Sequence, residues 1–192
     1  MKRAFGLVLL AMAGLAGCKP PPTDSAVARV SLLDAASAPS EPLPSPDVTG
    51  AGWASTANPL RLVYGVPGQP VLLALGCLEP SSPAARIRIT RHAPADEGAS
   101  ALLALIGNGW IGRFPVDAKR VGGKSLWQGE VPATQRELAA LKPVREATVT
   151  VPGAGLLQLN PSPLPMALVT ACRGNPDQAA AAPLALKESA AR

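Results

Sequence analysis

The chain has 192 residues, enough for one domain with tails, and combines 47% hydrophobic residues with only 3% aromatic and 16% charged residues. The 22 prolines and 18 glycines interrupt helices too often for a helical bundle or coiled coil, whereas the apolar content argues against disorder throughout. The formal net charge is +5, and the single histidine excludes multi-histidine metal sites and most acid–base machinery, so that no cofactor or metal is expected.

The N-terminal segment has the features of a secretory signal peptide in their usual order. Lys2 and Arg3 precede an apolar run at residues 4–15, and small residues follow. Because this run of about twelve residues is shorter than the ~20 that span a bilayer, it is typical of a cleaved export signal rather than an anchor. We therefore expect residues 1–17 to be removed, which lowers the formal charge to about +3.

The sequence Leu15-Ala16-Gly17-Cys18 resembles the lipobox of bacterial lipoproteins, and all four positions match. The resemblance implies that the Cys18 thiol carries fatty acid and becomes the first mature residue. Each buried methylene contributes about 0.8 kcal/mol, so that several acyl chains together anchor a protein firmly in the membrane. Lys19 stands where an aspartate would favour the inner membrane, so the resemblance implies the outer membrane, on its periplasmic face. An ordinary signal peptide with a chance cysteine is the alternative.

Residues 18–51 are predicted to form a linker between the acylated cysteine and the folded domain. This segment is rich in Pro, Ser, Ala and Asp and holds no aromatic residue. Such a composition buries too little apolar surface to offset the entropy of ordering, so we expect a disordered, extended tether. The Ala-rich residues 174–192 are predicted to be a loose tail. The folded unit is therefore placed at residues 52–173.

The folded unit contains short apolar runs separated by turn signals. Residues 86–90 and 148–151 alternate between polar and apolar or β-branched side chains, and similar runs recur at intervals of about ten to fifteen residues. This pattern predicts an all-β fold, a small antiparallel β-sandwich or barrel. Residues 133–141, which end before Pro143, are predicted to form one short helix packed on the sheet. The other predicted strands are residues 60–64, 71–75, 102–106, 110–116, 126–131 and 156–159.

Three cysteines allow one pair if Cys18 carries lipid. Cys77 closes an early predicted strand and Cys172 closes the domain, and an even pair in an oxidising compartment favours a structural disulfide. In the chain-entropy model such a long loop stabilises the fold by about 4.7 kcal/mol. A redox or metal-binding pair is the alternative, although there is no Cys-x-x-Cys motif and His92 is the only imidazole ligand.

Two glycine-rich motifs are interpreted as hairpin turns. Residues 107–112 read Gly-x-Gly-x-x-Gly, but Pro115 blocks the helix that a dinucleotide site needs, and Asn108-Gly109 is a strong hairpin signal. Residues 122–125 resemble the end of a phosphate-binding loop, but Ala118 stands where that motif needs its first glycine. Neither motif therefore predicts a nucleotide cofactor.

Basic and aromatic residues form the candidate binding surface. Arg86 and Arg88 share one face of a predicted strand, and further cations follow across a predicted turn. Such a patch attracts an acidic partner: lipopolysaccharide, anionic lipid or an acidic protein. The alternatives are a solvated strand face for the cations and core packing for the tryptophans. The candidate residues are Arg86, Arg88, Lys119, Arg120, Lys124, Trp110 and Trp127.

The layout of the domain resembles small exported β-sandwich proteins of the invasion-associated locus B type and a type VI secretion accessory domain. The matching features are the cysteine pair, Arg113-Phe114-Pro115-Val116-Asp117, Trp127 and the predicted helix with Leu138 and Leu141. The resemblance implies the fold class and a non-enzymatic role, and nothing more specific.

We expect a lipid-anchored envelope protein whose β domain binds a protein or an envelope component and is not an enzyme. Export also argues against nucleic acid as the partner of a basic chain. One alternative is an inhibitor of a cell-wall lytic enzyme such as lysozyme. The other is a hydrolase in which His92 acts with Asp96 or Glu97.

Overall fold

The computed structural model describes residues 40–174, and its main element is a nearly closed, barrel-like sheet of nine antiparallel strands. The predicted all-β fold class is therefore confirmed. The predicted signal peptide, Cys18, the first part of the linker and the residues after Gly174 lie outside the described residues. The strands are β1 (Gly52–Ser55), β2 (Arg61–Gly65), β3 (Leu73–Leu78), β4 (Arg86–Pro94), β5 (Ser100–Gly107), β6 (Trp110–Val121), β7 (Lys124–Pro132), β8 (Ala147–Thr150) and β9 (Leu156–Leu159).

The strand order is β1-β2-β3-β4-β7-β6-β5-β8-β9. The chain therefore follows the sheet from β1 to β4, passes over two positions to β5, and returns through β6 to β7 beside β4. It then crosses from β7 to β8, which pairs with the free side of β5. This return is a Greek-key connection, which brings residues far apart in sequence onto neighbouring strands. The outer face of β4 and β7 is built in this way.

Both glycine-rich motifs form hairpin turns, as predicted. Gly107 pairs with Trp110 across the β5–β6 turn, and Val121 pairs with Lys124 across the β6–β7 turn. Asn108 and Gly109 have φ angles of 50° and 78°, the left-handed pair that a two-residue type I′ hairpin requires. The Asn108 side chain also holds a distant segment of the chain, because its Nδ2 donates to the carbonyl of Lys142 at 2.7 Å.

Side chains alternate between the barrel interior and the outer face. On β4, Ile87 and Ile89 are buried inside, whereas Arg86 and Arg88 point outward. Arg91 continues the inward series and is buried as well. The interior is filled mainly by aliphatic side chains from all parts of the sheet: Leu62, Leu75, Leu103, Leu105, Val116, Val149, Leu157 and Leu159.

Two helical segments pack against the sheet, where the sequence predicted one. A 3₁₀ helix (Arg136–Leu141) lies inside the predicted window and buries Leu138 and Leu141. A separate α-helix, α1 (Leu164–Cys172), contacts the first four strands. It was not predicted, and it begins at prolines, Pro163 and Pro165, which are well tolerated in the first turn of a helix.

The predicted disulfide is present and joins Cys77 at the end of β3 to Cys172 at the end of α1. Cys172 is fully buried. The bond fixes α1 to the sheet across a sequence separation of 95 residues. None of the helices within residues 40–174 is long and apolar enough to cross a membrane.

Residues 40–48, called the strap below, contact the barrel although they belong to the predicted linker. The Leu43 amide donates to the Gly153 carbonyl at 2.9 Å, and the Ser45 hydroxyl accepts from the Leu156 amide at 3.1 Å. Composition favours an extended tether here, but its backbone and Ser45 find partners at the β8–β9 turn, and Ser40 finds one on the β4–β5 turn. The folded unit therefore begins before residue 52.

Candidate binding groove

A groove of about 250 Å³ lies on the outer face of β2, β3 and β4. Its floor is made of small side chains, Ala74, Gly76 and Thr90. A Cβ added to Gly76 would meet no atom within 4 Å, so the space above the floor is open. The other lining residues are Asn58, Leu60, Arg61, Leu75, Cys77, Leu78, Arg88, Val121 and Gln128.

Two turns form the walls of the groove. The β1–β2 turn is fixed by Asn58, whose Oδ1 accepts from the Leu60 amide at 2.9 Å in a local turn. The opposite wall includes Val121 from the tip of the β6–β7 hairpin. Thr90 is only 6% exposed although it faces outward, and its hydroxyl accepts from Gln128 Nε2 at 2.9 Å. The groove is therefore a shaped depression rather than a flat sheet face.

Strand register places two arginines at the groove. Arg61 lies opposite Gly76, and Gly76 lies opposite Arg88, so that the three residues form one row across β2, β3 and β4. Residues directly opposite in an antiparallel sheet share a face. The two guanidinium groups therefore flank the glycine, and none of the residues that line the groove is acidic.

Glu130 on β7 continues this row and neutralises part of its charge. Arg88 donates to Glu130 Oε1 through Nε at 3.0 Å and Nη2 at 2.8 Å. Arg86 lies 3.5 Å from the other carboxylate oxygen. Within residues 40–174, Arg61 makes no ion pair. One carboxylate thus serves two arginines while Arg61 keeps its charge free for a ligand.

His92 lies on β4 beside the groove, and its pKa is affected by nearby cations. It follows Thr90 by two positions on the same face of β4 and is partly buried. Burial lowers the pKa of His92, and repulsion from Arg61, Arg91 and Lys124 lowers that pKa further. Its Nε2 has no hydrogen-bond partner among the described residues. The cations nearest to His92 therefore oppose its protonation, as its burial does.

The predicted binding surface is only partly assembled. Arg86 and Arg88 lie together, but Lys119 pairs with Asp117 at 3.8 Å and Arg120 pairs with Glu97 at 2.6 Å. The five predicted cations therefore do not form one unpaired patch. Arg61 was missed because its place beside Arg88 depends on the pairing of three strands, which no local pattern reveals.

Neither tryptophan of the predicted surface lines this groove. Trp127 is 7% exposed and points into the barrel, opposite Arg91, so it is not part of the outer face. Trp110 is partly buried near the β5–β6 turn, with the Arg136 guanidinium 5.6 Å from its ring centre. Both tryptophans pack with the hydrophobic core, as the alternative interpretation expected.

The pairing of His92 with an acid, which the hydrolase alternative requires, is not formed. His92 lies in β4. Asp96 accepts instead from the Ser40 hydroxyl at 2.5 Å, and Glu97 pairs with Arg120. A histidine without an acid that orients it lacks the usual arrangement of a general base.

The groove thus offers two arginines, hydroxyl and amide groups, and a small floor, which together can hold an anionic group. Among residues 40–174 no group of three or more His, Cys, Asp or Glu side chains is placed to hold a metal ion. No protein-family model, no curated protein and no solved structure matches this chain.

Proposed function

We propose that this protein is a lipid-anchored envelope protein whose barrel binds a phosphorylated sugar headgroup, of the kind that lipopolysaccharide carries. The observation that carries the proposal is the row Arg61, Gly76 and Arg88, in which two cations flank an open floor. The anchoring part is supported by the match of Leu15-Ala16-Gly17-Cys18 to the lipobox.

The positive charges at the groove favour an anionic ligand. Guanidinium groups bind phosphate and carboxylate through paired hydrogen bonds, and each such bond contributes about 1.5–3 kcal/mol. Arg61 has no competing carboxylate among the described residues, so a ligand that pairs with it displaces no ion pair. Arg88 already shares Glu130 with Arg86, so it contributes attraction at longer range.

The size and polar lining of the groove favour a headgroup over a protein chain. Its volume of about 250 Å³ is slightly below the usual range for a whole drug-sized ligand. Asn58, Thr90 and Gln128 add amide and hydroxyl groups that suit the hydroxyls of a sugar. A phosphorylated sugar uses both the cations and these neutral polar groups.

The test is binding of residues 18–192 with Cys18→Ala, which removes the lipid, to vesicles with or without lipopolysaccharide. We expect binding to the lipopolysaccharide vesicles alone. Arg61→Gln should weaken it about tenfold, because one charge-assisted bond is lost. Gly76→Leu should weaken it as much while both arginines remain, because the side chain fills the groove.

Gly52→Leu is the matched control for Gly76→Leu. Gly52 lies in β1, and a Cβ added there also meets no atom within 4 Å. We expect it to bind like the unsubstituted groove. If Gly76→Leu and Gly52→Leu bind equally well, the groove is not the site. Inhibition of lysozyme without any binding to lipopolysaccharide would favour the lytic-enzyme inhibitor instead.

The anchor has its own test. In cells given radioactive palmitate, the natural chain should be labelled, whereas the Cys18→Ala chain should be unlabelled. Equal labelling of both chains would overturn the lipid anchor but leave the groove proposal intact.

A further inference from the structure

A second cavity, of about 460 Å³, lies between the strap and the end of the barrel where β4 turns into β5. Its walls are largely proline and aliphatic side chains, and Trp127 of β7 is part of them. The lining residues are Ser40, Glu41, Pro42, Leu43, Pro94, Asp96, Ala99, Ser100, Ala101, Trp127, Pro152 and Gly153. Neither the sequence motifs nor the proposed headgroup site includes this cavity.

The strap forms one wall and is held at three points. Ser40 donates to the Asp96 carboxylate through both its hydroxyl, at 2.5 Å, and its amide, at 3.1 Å. The Leu43 amide binds the Gly153 carbonyl, and Ser45 binds the Leu156 amide. These few exposed contacts are weak compared with a buried core, so this segment can open without unfolding the barrel.

The charge of this cavity is opposite to that of the outer groove. Among residues 40–174, the only charged side chains that line it are Glu41 and Asp96, and none is a cation. Carboxylates repel an anionic ligand and leave an apolar surface for a neutral one. Pockets in the mouths of β-barrels with volumes of 300–1,000 Å³ commonly hold small molecules, and this cavity falls in that range.

We propose that this pocket binds an uncharged, apolar small molecule and that the strap is its lid. Trp127 and Leu43 contact the ligand from opposite walls, and Pro94 and Pro152 supply rigid apolar surface. The proposal is independent of the headgroup site, because the two cavities share no lining residue.

The probe is N-phenyl-1-naphthylamine, a neutral dye that fluoresces in apolar surroundings, titrated into residues 18–192 with Cys18→Ala in the absence of lipid. We expect saturable binding of one dye per chain. In the same chain with Gly76→Leu, which fills the outer groove, the anionic dye 8-anilino-1-naphthalenesulfonate should bind about tenfold more weakly than the neutral dye because of Glu41 and Asp96. Absence of saturable binding of the neutral dye, or tighter binding of the anionic dye to the Gly76→Leu chain, would overturn the proposal.

Substitutions test whether the dye binds in this cavity. Ala101→Trp fills the cavity and should abolish binding, whereas Ala104→Trp on the opposite face of β5 should not. Should Ala101→Trp fail to fold, Leu43→Asp changes only the strap and should also abolish binding. Its control is Leu102→Asp, since Leu102 is 53% exposed on the outer face. Unchanged binding by Leu43→Asp would rule out this pocket.

The lid can be tested from outside the cavity. Gly155 has a φ of 66°, and a Cβ added there would lie 2.5 Å from the Pro44 carbonyl oxygen. Gly155→Ala should therefore push the strap away and raise the association rate of the neutral dye several-fold. Gly109→Ala in the β5–β6 turn carries a similar backbone penalty at φ 78°, meets no atom within 4 Å and lies outside this cavity, so it should leave the rate unchanged. Equal rates for the two variants would show that the strap is not a lid.

Discussion

The Nη2 of Arg91 donates to the carbonyl oxygen of Ala154 at 3.0 Å, inside the barrel and across 63 positions of sequence. Its Nη1 donates to the Leu72 carbonyl at 2.9 Å, and its Nε has no partner among the described residues. Arg91 is 2% exposed, and burial lowers the pKa of its guanidinium. This cation is neutralised only by backbone dipoles, because no carboxylate within residues 40–174 pairs with it.

This arrangement predicts an order of stabilities at position 91. Arg91→Lys should lower the free energy of unfolding by about 2–4 kcal/mol, because the charge stays buried but one ammonium cannot reach both carbonyls. Arg91→Met should cost less, since it also removes the desolvation of a cation. Urea denaturation of the three chains measures the order. A lysine variant as stable as the natural chain would show that the two bonds contribute nothing.

Asn108 is predicted to stabilise the fold in two separable ways. It holds a φ of 50° in the β5–β6 turn, and its side chain bonds the carbonyls of Ala140, Lys142 and Arg145. Asn108→Gly keeps the turn but loses these bonds, for which we expect a loss of about 1–3 kcal/mol. Asn108→Ala adds the strain of a left-handed alanine and should be less stable still. A higher unfolding temperature for Asn108→Ala than for Asn108→Gly would contradict this assignment.

Substitution by alanine should change the free energy of unfolding in opposite directions at two strand glycines. At Gly129 a Cβ would lie 2.2 Å from the Pro115 carbonyl oxygen, so Gly129→Ala forces β6 and β7 apart and should cost several kcal/mol. At Gly76 the space is open, so Gly76→Ala should be neutral or stabilise by up to about 1 kcal/mol through the unfolded chain. Urea denaturation midpoints test the pair. Equal midpoints would mean that β6 and β7 are less closely packed than described.

The disulfide should account for much of the stability of the domain. Removing it from a loop of 95 residues costs about 4.7 kcal/mol in the chain-entropy model, and about 2–5 kcal/mol is typical. The double variant Cys77→Ser, Cys172→Ser should therefore unfold at lower urea concentration than the oxidised chain. Reducing agent should not change its unfolding midpoint. Cys18→Ser is the matched control and should keep the full response to reductant. A reductant effect that survives in the double variant would point to a different disulfide.

Local signals in the sequence predicted most of the strands but not the sites. Asn108-Gly109 predicted a hairpin because few other pairs adopt two left-handed residues, and the alternation at residues 86–90 predicted a strand with one wet face. The alternation also placed Arg86 and Arg88 on that face correctly. These features depend on neighbours within a few residues, which the sequence shows directly.

The features that were missed depend on contacts between distant segments. Arg61 reaches Arg88 only through the registers of β2, β3 and β4. The inward direction of Trp127 follows from its pairing with Arg91 on β4, which lies 36 positions earlier in the chain. The composition of the strap favours an extended tether, but its partners lie on the β4–β5 and β8–β9 turns. Composition describes the conformation of such a segment and not its partners.

His92 should make the fold less stable in mild acid. Its pKa in the folded chain is lowered from 6.5, chiefly by burial and then by the nearby cations. As the pH falls through 6.5, the unfolded chain therefore gains a proton that the folded chain does not, and the free energy of unfolding decreases. The decrease is complete once the pH is below the folded pKa. Above pH 6.5 this group contributes no dependence.

His92→Gln separates this effect from that of the carboxylates. Asp47 and Asp96 have pKa values lowered from 3.8, through hydrogen bonds from Thr49 and from Ser40, so the stability that they contribute is lost only in stronger acid, below about pH 4. Between about pH 4.5 and 6.5 the natural chain should lose stability, as followed by urea denaturation at each pH, while His92→Gln should stay level. If the free energy of unfolding of His92→Gln also decreases between these pH values, another group causes the acid sensitivity.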